Sequence, residues 1–193
     1  MRIVGGDLGG RRLVGPASSS TRATTDKVRE AIFNSLVSLI EVDGSAVVDL
    51  FAGTGAWGVE ALSRGASRCT FVEKSPRATQ VVRQNIEQFS LLDRAVVRTG
   101  DALAFLEAES AREDHDQFDV VFADPPYGFT DWARIFRLVR CEVLICETDQ
   151  GDFVSEEELA ATRWRLFKQK RYGTTWVSYF VKETGIKETG EVA

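Results

Sequence analysis

From residue 46 onward the 193-residue chain alternates short continuous apolar runs with segments whose apolar positions recur at helical spacing. The runs AVVDLF, RCTFVE, AVVRT, FDVVFA and EVLICE lack a polar face, as expected of strands covered on both sides. Between them, AWGVEALSRG keeps a helical period and stops at Gly65, and SPRATQVVRQNIEQF does the same with Pro76 at a helix start. DALAFLEAE opens on Asp101 as a side-chain cap. This β-α-β-α-β-α-β-α-β order predicts an α/β fold with a mostly parallel sheet and helices on both faces. The end differs. RWRLFKQKRYG and TTWVSYFVKE read as two strands joined around Gly173, and a hairpin cannot follow the crossover pattern, so the C-terminal part of the sheet should be antiparallel.

The first 45 residues read as a separate piece. MRIVGGDLGGRRLVGP, with its five glycines, suggests a β-hairpin, and TTDKVREAIFNSLVSLI an amphipathic helix capped by Thr25 or Asp26. Val28, Ile32, Phe33, Leu36 and Leu39 fall on one side of that helix. The expected organisation is a hairpin-helix extension over 1–45, an α/β domain over 46–184 and a tail over 185–193.

At 44% hydrophobic residues the chain can bury a sizeable core. No apolar run reaches the roughly 18 residues of a membrane span, and MRIVGGDLGG lacks the apolar core of a signal peptide, so a cytoplasmic location is expected. Cys69, Cys141 and Cys146 form neither a disulfide framework nor a metal clamp, and His115 is the single histidine, so no metal is expected. The net charge of -5 hides a segregation. Arg2, Arg11, Arg12, Arg22, Lys27 and Arg29 crowd the N-terminal segment, while 163–182 carries Arg163, Arg165, Lys168, Lys170, Arg171 and Lys182 without an acid. If these basic segments share a face, a nucleic-acid partner stays open; if not, they are ordinary solvated charge.

The first strand runs into DLFAGTGAWG. Gly53 and Gly55 let the backbone turn sharply and approach a ligand, and the following helix N-terminus exposes amides. The turn is neither a GxxxxGK[ST] phosphate loop nor a GxGxxG dinucleotide motif. An acid, two residues, a small residue, then Gly-x-Gly is the pattern of a methyl-donor site, formed here by Asp49, Phe51, Ala52, Gly53, Thr54 and Gly55. Asp49 would hold the water shell or the ammonium end of the donor's methionine moiety. Glu73, followed by Lys74, ends the second strand where a carboxylate can accept from both hydroxyls of a ribose. Gly100, Asp101 and Ala102 follow the third strand, and Asp101 can accept from an adenine amine or simply cap a helix.

The fourth strand ends in FADPPYG. Prolines restrain themselves and the preceding residue, so Pro125 and Pro126 make a stiff corner with outward carbonyls. The Asp124 carboxylate and the Pro125 carbonyl then converge as acceptors for an NH2 group, and Tyr127 offers a ring on which the base bearing it can stack. Such bonds would draw a conjugated amine toward tetrahedral geometry and aim its lone pair at a sulfonium methyl. This places catalysis at Asp124, Pro125, Pro126 and Tyr127.

With these motifs, DLFAGTGAWGVEALSRGA, FVEKS and FADPPYG, the chain resembles Rossmann-like class I methyltransferases that use S-adenosylmethionine. Its N-terminal GGRRLVGP and RATTDKVREAIFNSL resemble the bacterial 16S rRNA guanine-N2 methyltransferases of the RsmD family. The resemblance implies a seven-stranded sheet, S-adenosylhomocysteine as product, no metal, a monomer, and 16S rRNA in the small ribosomal subunit or its assembly intermediate as partner. It also implies RNA-facing roles for Arg11, Arg12, Arg22, Thr24, Thr25 and Arg29, with the arginines forming a rim on the side of Tyr127. Two positions depart from the family pattern: Ala23 stands where proline is usual, and Trp57 where a smaller aliphatic residue is common. A DNA adenine-N6 methyltransferase and an inactive RNA-binding assembly factor are the alternatives; 193 residues leave no room for a DNA-recognition domain, and the intact Asp49, Glu73, Asp101 and Asp124 speak for activity.

Overall fold

In a computed structural model of the protein, residues 1–15, 26–112 and 118–183 are described. Arg22, Ala23, Thr24, Thr25, His115 and the tail expected over 185–193 lie outside them. Continuous apolar runs become β1 (Ala46–Asp49), β2 (Arg68–Glu73), β3 (Ala95–Thr99), β4 (Phe118–Ala123) and β5 (Cys141–Thr148), all parallel to their neighbours in this set. The helical-period segments become α1 (Asp26–Leu36), α2 (Ala56–Ser63), α3 (Pro76–Gln88) and α4 (Ala102–Ser110); α5 (Trp132–Leu138) supplies the fourth crossover that the element order requires, and the short α6 (Glu156–Ala160) is an addition not expected from the sequence. β6 (Trp164–Tyr172) and β7 (Thr175–Lys182) form the expected antiparallel hairpin about Gly173, whose φ of 64° suits glycine. β7 inserts between β5 and β6, completing a seven-stranded sheet of order β3-β2-β1-β4-β5-β7-β6.

That order reverses between β1 and β4. Above the carboxyl ends of those strands the crossovers diverge and leave a crevice, the usual ligand position in an open α/β sheet. One core layer joins Ile32, Phe33 and Leu36 of α1 to Trp57 and Val59 of α2, Val82 and Ile86 of α3, and one face of the sheet. The other joins Leu103 and Leu106 of α4 to Ile135 and Phe136 of α5 and the opposite face. Gly58 lets α2 lie close on β2, because a Cβ there would meet the Phe71 ring at 2.2 Å and Cys69 Sγ at 2.5 Å.

The N-terminal segment is held to this same core. Arg2 and Arg12 form an antiparallel bridge, Ile3 and Leu13 are buried, and the Val4 and Gly5 amides donate to the Glu60 carboxylate of α2 at 2.7 and 2.8 Å. Buried Asn85 of α3 accepts from the Val14 amide at 2.7 Å and donates to the Thr54 carbonyl at 2.9 Å, so it ties the hairpin to the glycine turn. On the far side of α1, Lys168 of β6 donates to Ser35 Oγ at 3.0 Å. The C-terminal basic strand therefore abuts the helix of the N-terminal basic segment.

Candidate active site

The glycine turn at the end of β1 combines two left-handed residues, Gly53 (φ 55°) and Gly55 (φ 79°), a conformation costly for side chains with a Cβ. Gly55 begins α2 without a side-chain cap. Asp49 supplies one from below: its Oδ2 accepts the Gly58 amide at 3.1 Å. This carboxylate is fully buried beneath the turn. The register explains why: Asp49 pairs with Phe122 of β4, so its side chain shares the face covered by α2. Burial pushes Asp49 up to about 7, against the pull of the Gly58 amide and with the Glu73 charge adding to the rise. Its Oδ1 has no hydrogen-bond partner, an orphaned acceptor beside a ligand crevice.

Glu73, half-buried at the tip of β2, accepts the Gly53 amide at 2.8 Å through Oε2 and the Ser75 amide at 2.7 Å through Oε1. Each carboxylate oxygen keeps a further lone pair, so the group can hold the turn and still accept from ribose hydroxyls. Asp101 caps α4, accepting from Leu103 and Ala104 at 3.0 and 3.2 Å, while exposed Lys74 approaches its other oxygen at 3.4 Å. These backbone bonds, with the Lys74 charge, hold its carboxyl below the usual range despite partial burial. Gly100 joins the same edge by donating to the Glu73 carbonyl at 2.9 Å, and Ala102 is buried behind it. These groups fit a donor with a ribose and an adenine.

Across the crevice, β4 ends at Ala123 and the DPPYG corner begins. Asp124 and Pro125 are half-buried, Pro126 and Tyr127 exposed, and Gly128 has φ 79°. The Phe129 amide donates to the Pro126 carbonyl at 3.2 Å, closing a turn with Tyr127 and Gly128 at its centre. Tyr127 is thereby left 64% exposed, as a stacking platform requires and a core residue does not. Phe129 turns inward and meets Phe51 of the glycine turn edge-on at 5.4 Å and Trp132 at 5.2 Å. It braces the two halves of the crevice against each other. Its position after the corner was the sequence signal for it.

Behind Asp124 a small pocket is lined by Ile32, Trp57, Phe122, Ala123, Ile145 and Glu147. Trp57 is the wall: it is buried and stacks on Phe122 at 5.2 Å. Glu147, at the end of EVLICE, carried no signal of its own until β5 was known to lie beside β4.

Of the arginines expected in the rim, Arg29 departs from the expectation. Arg29 is fully buried; it donates to the Arg2 carbonyl and pairs with Asp26 at 3.0 Å and Glu60 at 3.5 Å. It cannot reach an RNA phosphate, because its position lies on the apolar face of α1 between Ile32 and the first turn. Arg11 and Arg12 are exposed, but Arg11 lies over the Phe89 ring at 4.6 Å and bonds the Gln88 carbonyl. That is the C-terminal end of α3, about 18 Å along the helix from the end beside Glu73.

A doubly covered, mostly parallel sheet with a glycine turn, a carboxylate at the tip of β2 and an Asp-Pro-Pro-Tyr corner at the tip of β4 defines a class I S-adenosylmethionine-dependent methyltransferase. The chain belongs to the family described as Conserved hypothetical protein 95, whose model matches residues 1–181, and with it to the RsmD group that its motifs resemble. It is 38% identical over 188 residues to the "Putative rRNA methyltransferase YlbH" of Bacillus subtilis, covering 94% of this chain and 99% of the relative. To the Ribosomal RNA small subunit methyltransferase D of Haemophilus influenzae it is 33% identical over 184 residues, covering 93% and 91%. Among solved structures, the "Putative methyltransferase yhhF" of Escherichia coli superposes with a TM-score of 0.76 at 28% identity, over 95% of this chain and 98% of the other. Among the described residues no helix is long and apolar enough to cross a membrane, and no group of His, Cys, Asp and Glu is arranged to hold a metal.

Proposed function

We propose that the protein methylates the exocyclic N2 of a guanine in 16S rRNA, within the small ribosomal subunit or an assembly intermediate of it. The observation that carries this reading is the DPPYG corner: a carboxylate and a proline carbonyl at the tip of β4, beside the donor turn, with the Tyr127 ring presented to solvent. S-adenosylmethionine supplies a sulfonium methyl and leaves as S-adenosylhomocysteine. Glu73 holds the ribose, while the Gly53–Gly55 turn admits the donor's backbone-contacting portion. Asp124 and the Pro125 carbonyl accept the two protons of the amine and orient its lone pair, which supplies alignment as well as charge stabilisation as the nitrogen becomes cationic. The displaced proton passes to Asp124 or to water. Tyr127 stacks on the base once it has left its helix, recovering part of the unstacking cost.

The rRNA as substrate follows from the names of the relatives together with the basic surface. Exposed Arg165, Lys168, Lys170 and Arg171 of β6 abut α1 through the Lys168–Ser35 bond. With Arg11 and Arg12 they supply phosphate contacts that position RNA without choosing the base. The test is mass analysis of nucleosides after incubation of labelled donor with small ribosomal subunits, naked rRNA and duplex DNA. N2-methylguanosine in the subunits is the expected product; a methylated adenine in DNA would overturn the reading.

A further inference from the structure

Phe122 on β4 and Ile145 on β5 are register partners in the sheet, and two residues beyond each come Asp124 and Glu147. Positions two apart along a strand share a face. All four line the same small pocket beneath α1 and α2. Neighbouring strands run roughly 4.8 Å apart, so Glu147 stands one strand over from the acceptor that holds the amine. Its backbone is fixed on the other side by pairing with Val177 of β7, and its side chain is half-buried against the apolar wall made by Ile32 and Trp57.

Asp124 and the Pro125 carbonyl recognise an NH2 group, which adenine, cytosine and guanine all carry. What differs is the ring position next to it. In guanine N1 bears a proton and donates, whereas N1 of adenine and N3 of cytosine present a lone pair. A second carboxylate beside the amine site is therefore an acceptor for guanine and a repulsive neighbour for the other two bases. The semi-apolar pocket strengthens both effects, since a carboxylate facing a lone pair there has little water to relieve it.

We propose that Glu147 is the base-selecting residue of this site, accepting a hydrogen bond from guanine N1–H while Asp124 and Pro125 hold N2. Reading of a displaced base along its Watson–Crick edge is the general requirement that this arrangement meets. Glu147 takes no proton in the reaction; it orients the ring and penalises bases with the wrong edge. The inference rests on the guanine-N2 reading above.

The test uses the full chain and small subunits reconstituted on 16S rRNA in which the guanine methylated by the wild-type enzyme is replaced, by splinted ligation, with 2,6-diaminopurine. That base keeps the N2 amine but turns N1 into an acceptor. Wild-type enzyme should methylate guanine about tenfold or more faster than diaminopurine in single turnover, as expected for one well-placed pair of base contacts. Glu147→Gln, whose amide can donate to N1, should slow guanine and shrink that ratio by a similar factor. Donor affinity in calorimetry should stay within about twofold of wild type, because Glu147 lies away from the ribose carboxylate. A purely structural role would lower both rates together and leave the ratio unchanged, and that result overturns the proposal. If wild-type enzyme forms no N2-methylguanosine at all, the underlying function fails first; if it does and the Glu147→Gln ratio is unmoved, only the role of Glu147 fails.

Discussion

The Arg29 guanidinium and the Glu60 carboxylate face each other at 3.5 Å with both side chains fully shielded from solvent. Glu60 also receives the Val4 and Gly5 amides and the Arg64 side chain, so one buried acid on α2 gathers the N-terminal segment, α1 and its own helix. Removing one partner of such a pair leaves an under-compensated buried charge. Arg29→Ala should therefore cost about 3 kcal/mol of stability in urea denaturation, near the lower end for broken buried pairs because Arg64 remains. The salt dependence of RNA binding by the folded variant should not change. A stable variant with weakened, less salt-sensitive RNA binding would return Arg29 to the RNA surface.

Glu73 joins the tips of β1 and β2 through the Gly53 amide, so it shapes the glycine turn, and in the proposed function it also offers acceptors to the donor. Glu73→Ala should weaken S-adenosylmethionine binding in calorimetry by at least tenfold, since charge-assisted bonds are lost. Glu73→Gln should fall between, keeping an oxygen for Gly53 without the charge. Equal affinity in all three proteins would remove Glu73 from the donor site.

Asp49 gives a pH signature. Its carboxyl is raised from 3.8 to about 7 in the folded state, so the native protein holds a proton that the unfolded chain has already released in that interval. Stability of the donor-free protein should accordingly be greatest on the acid side and decline as pH climbs from about 4 to 7, by at most ~4 kcal/mol for this group. Asp49→Asn should flatten that part of the profile. Denaturation midpoints at several pH values decide it; an unchanged slope in the variant would assign the dependence elsewhere.

The proposed mechanism puts the chemistry at Asp124 and Tyr127. Asp124→Ala should retain donor binding while single-turnover methylation of small subunits falls by ~100-fold or more, as expected for a bond that strengthens in the transition state. Asp124→Asn should keep partial activity. Because Tyr127 is exposed, Tyr127→Phe should be mild and Tyr127→Ala severe, with neither shifting the melting temperature appreciably. Full activity in Asp124→Ala would exclude the mechanism.

Periodicity along each element was legible in the sequence. Unbroken apolar runs specify strands, covered on both faces except in AVVRT, which becomes the edge strand β3 with Val96 exposed because no strand or helix among the described residues packs beyond it. Helical spacing specifies the crossovers, and a glycine turn or a double proline dictates its own backbone because only those residues have those restraints. The parallel sheet, the C-terminal hairpin and the Asp-Pro-Pro-Tyr corner follow from that local chemistry. What meets each element from outside depends on strand order and crossover, which no local pattern contains. Arg29 reads as surface charge until Glu60 arrives from another helix, 31 positions along the chain. Asp49 reads as an open strand-tip carboxylate, and its burial beneath α2 comes only from its register with Phe122. Glu147 carries no motif at all; it becomes the neighbour of Asp124 only because β5 packs beside β4 in register. Burial and juxtaposition are non-local quantities, and it is they that give each carboxylate in the row its own surroundings.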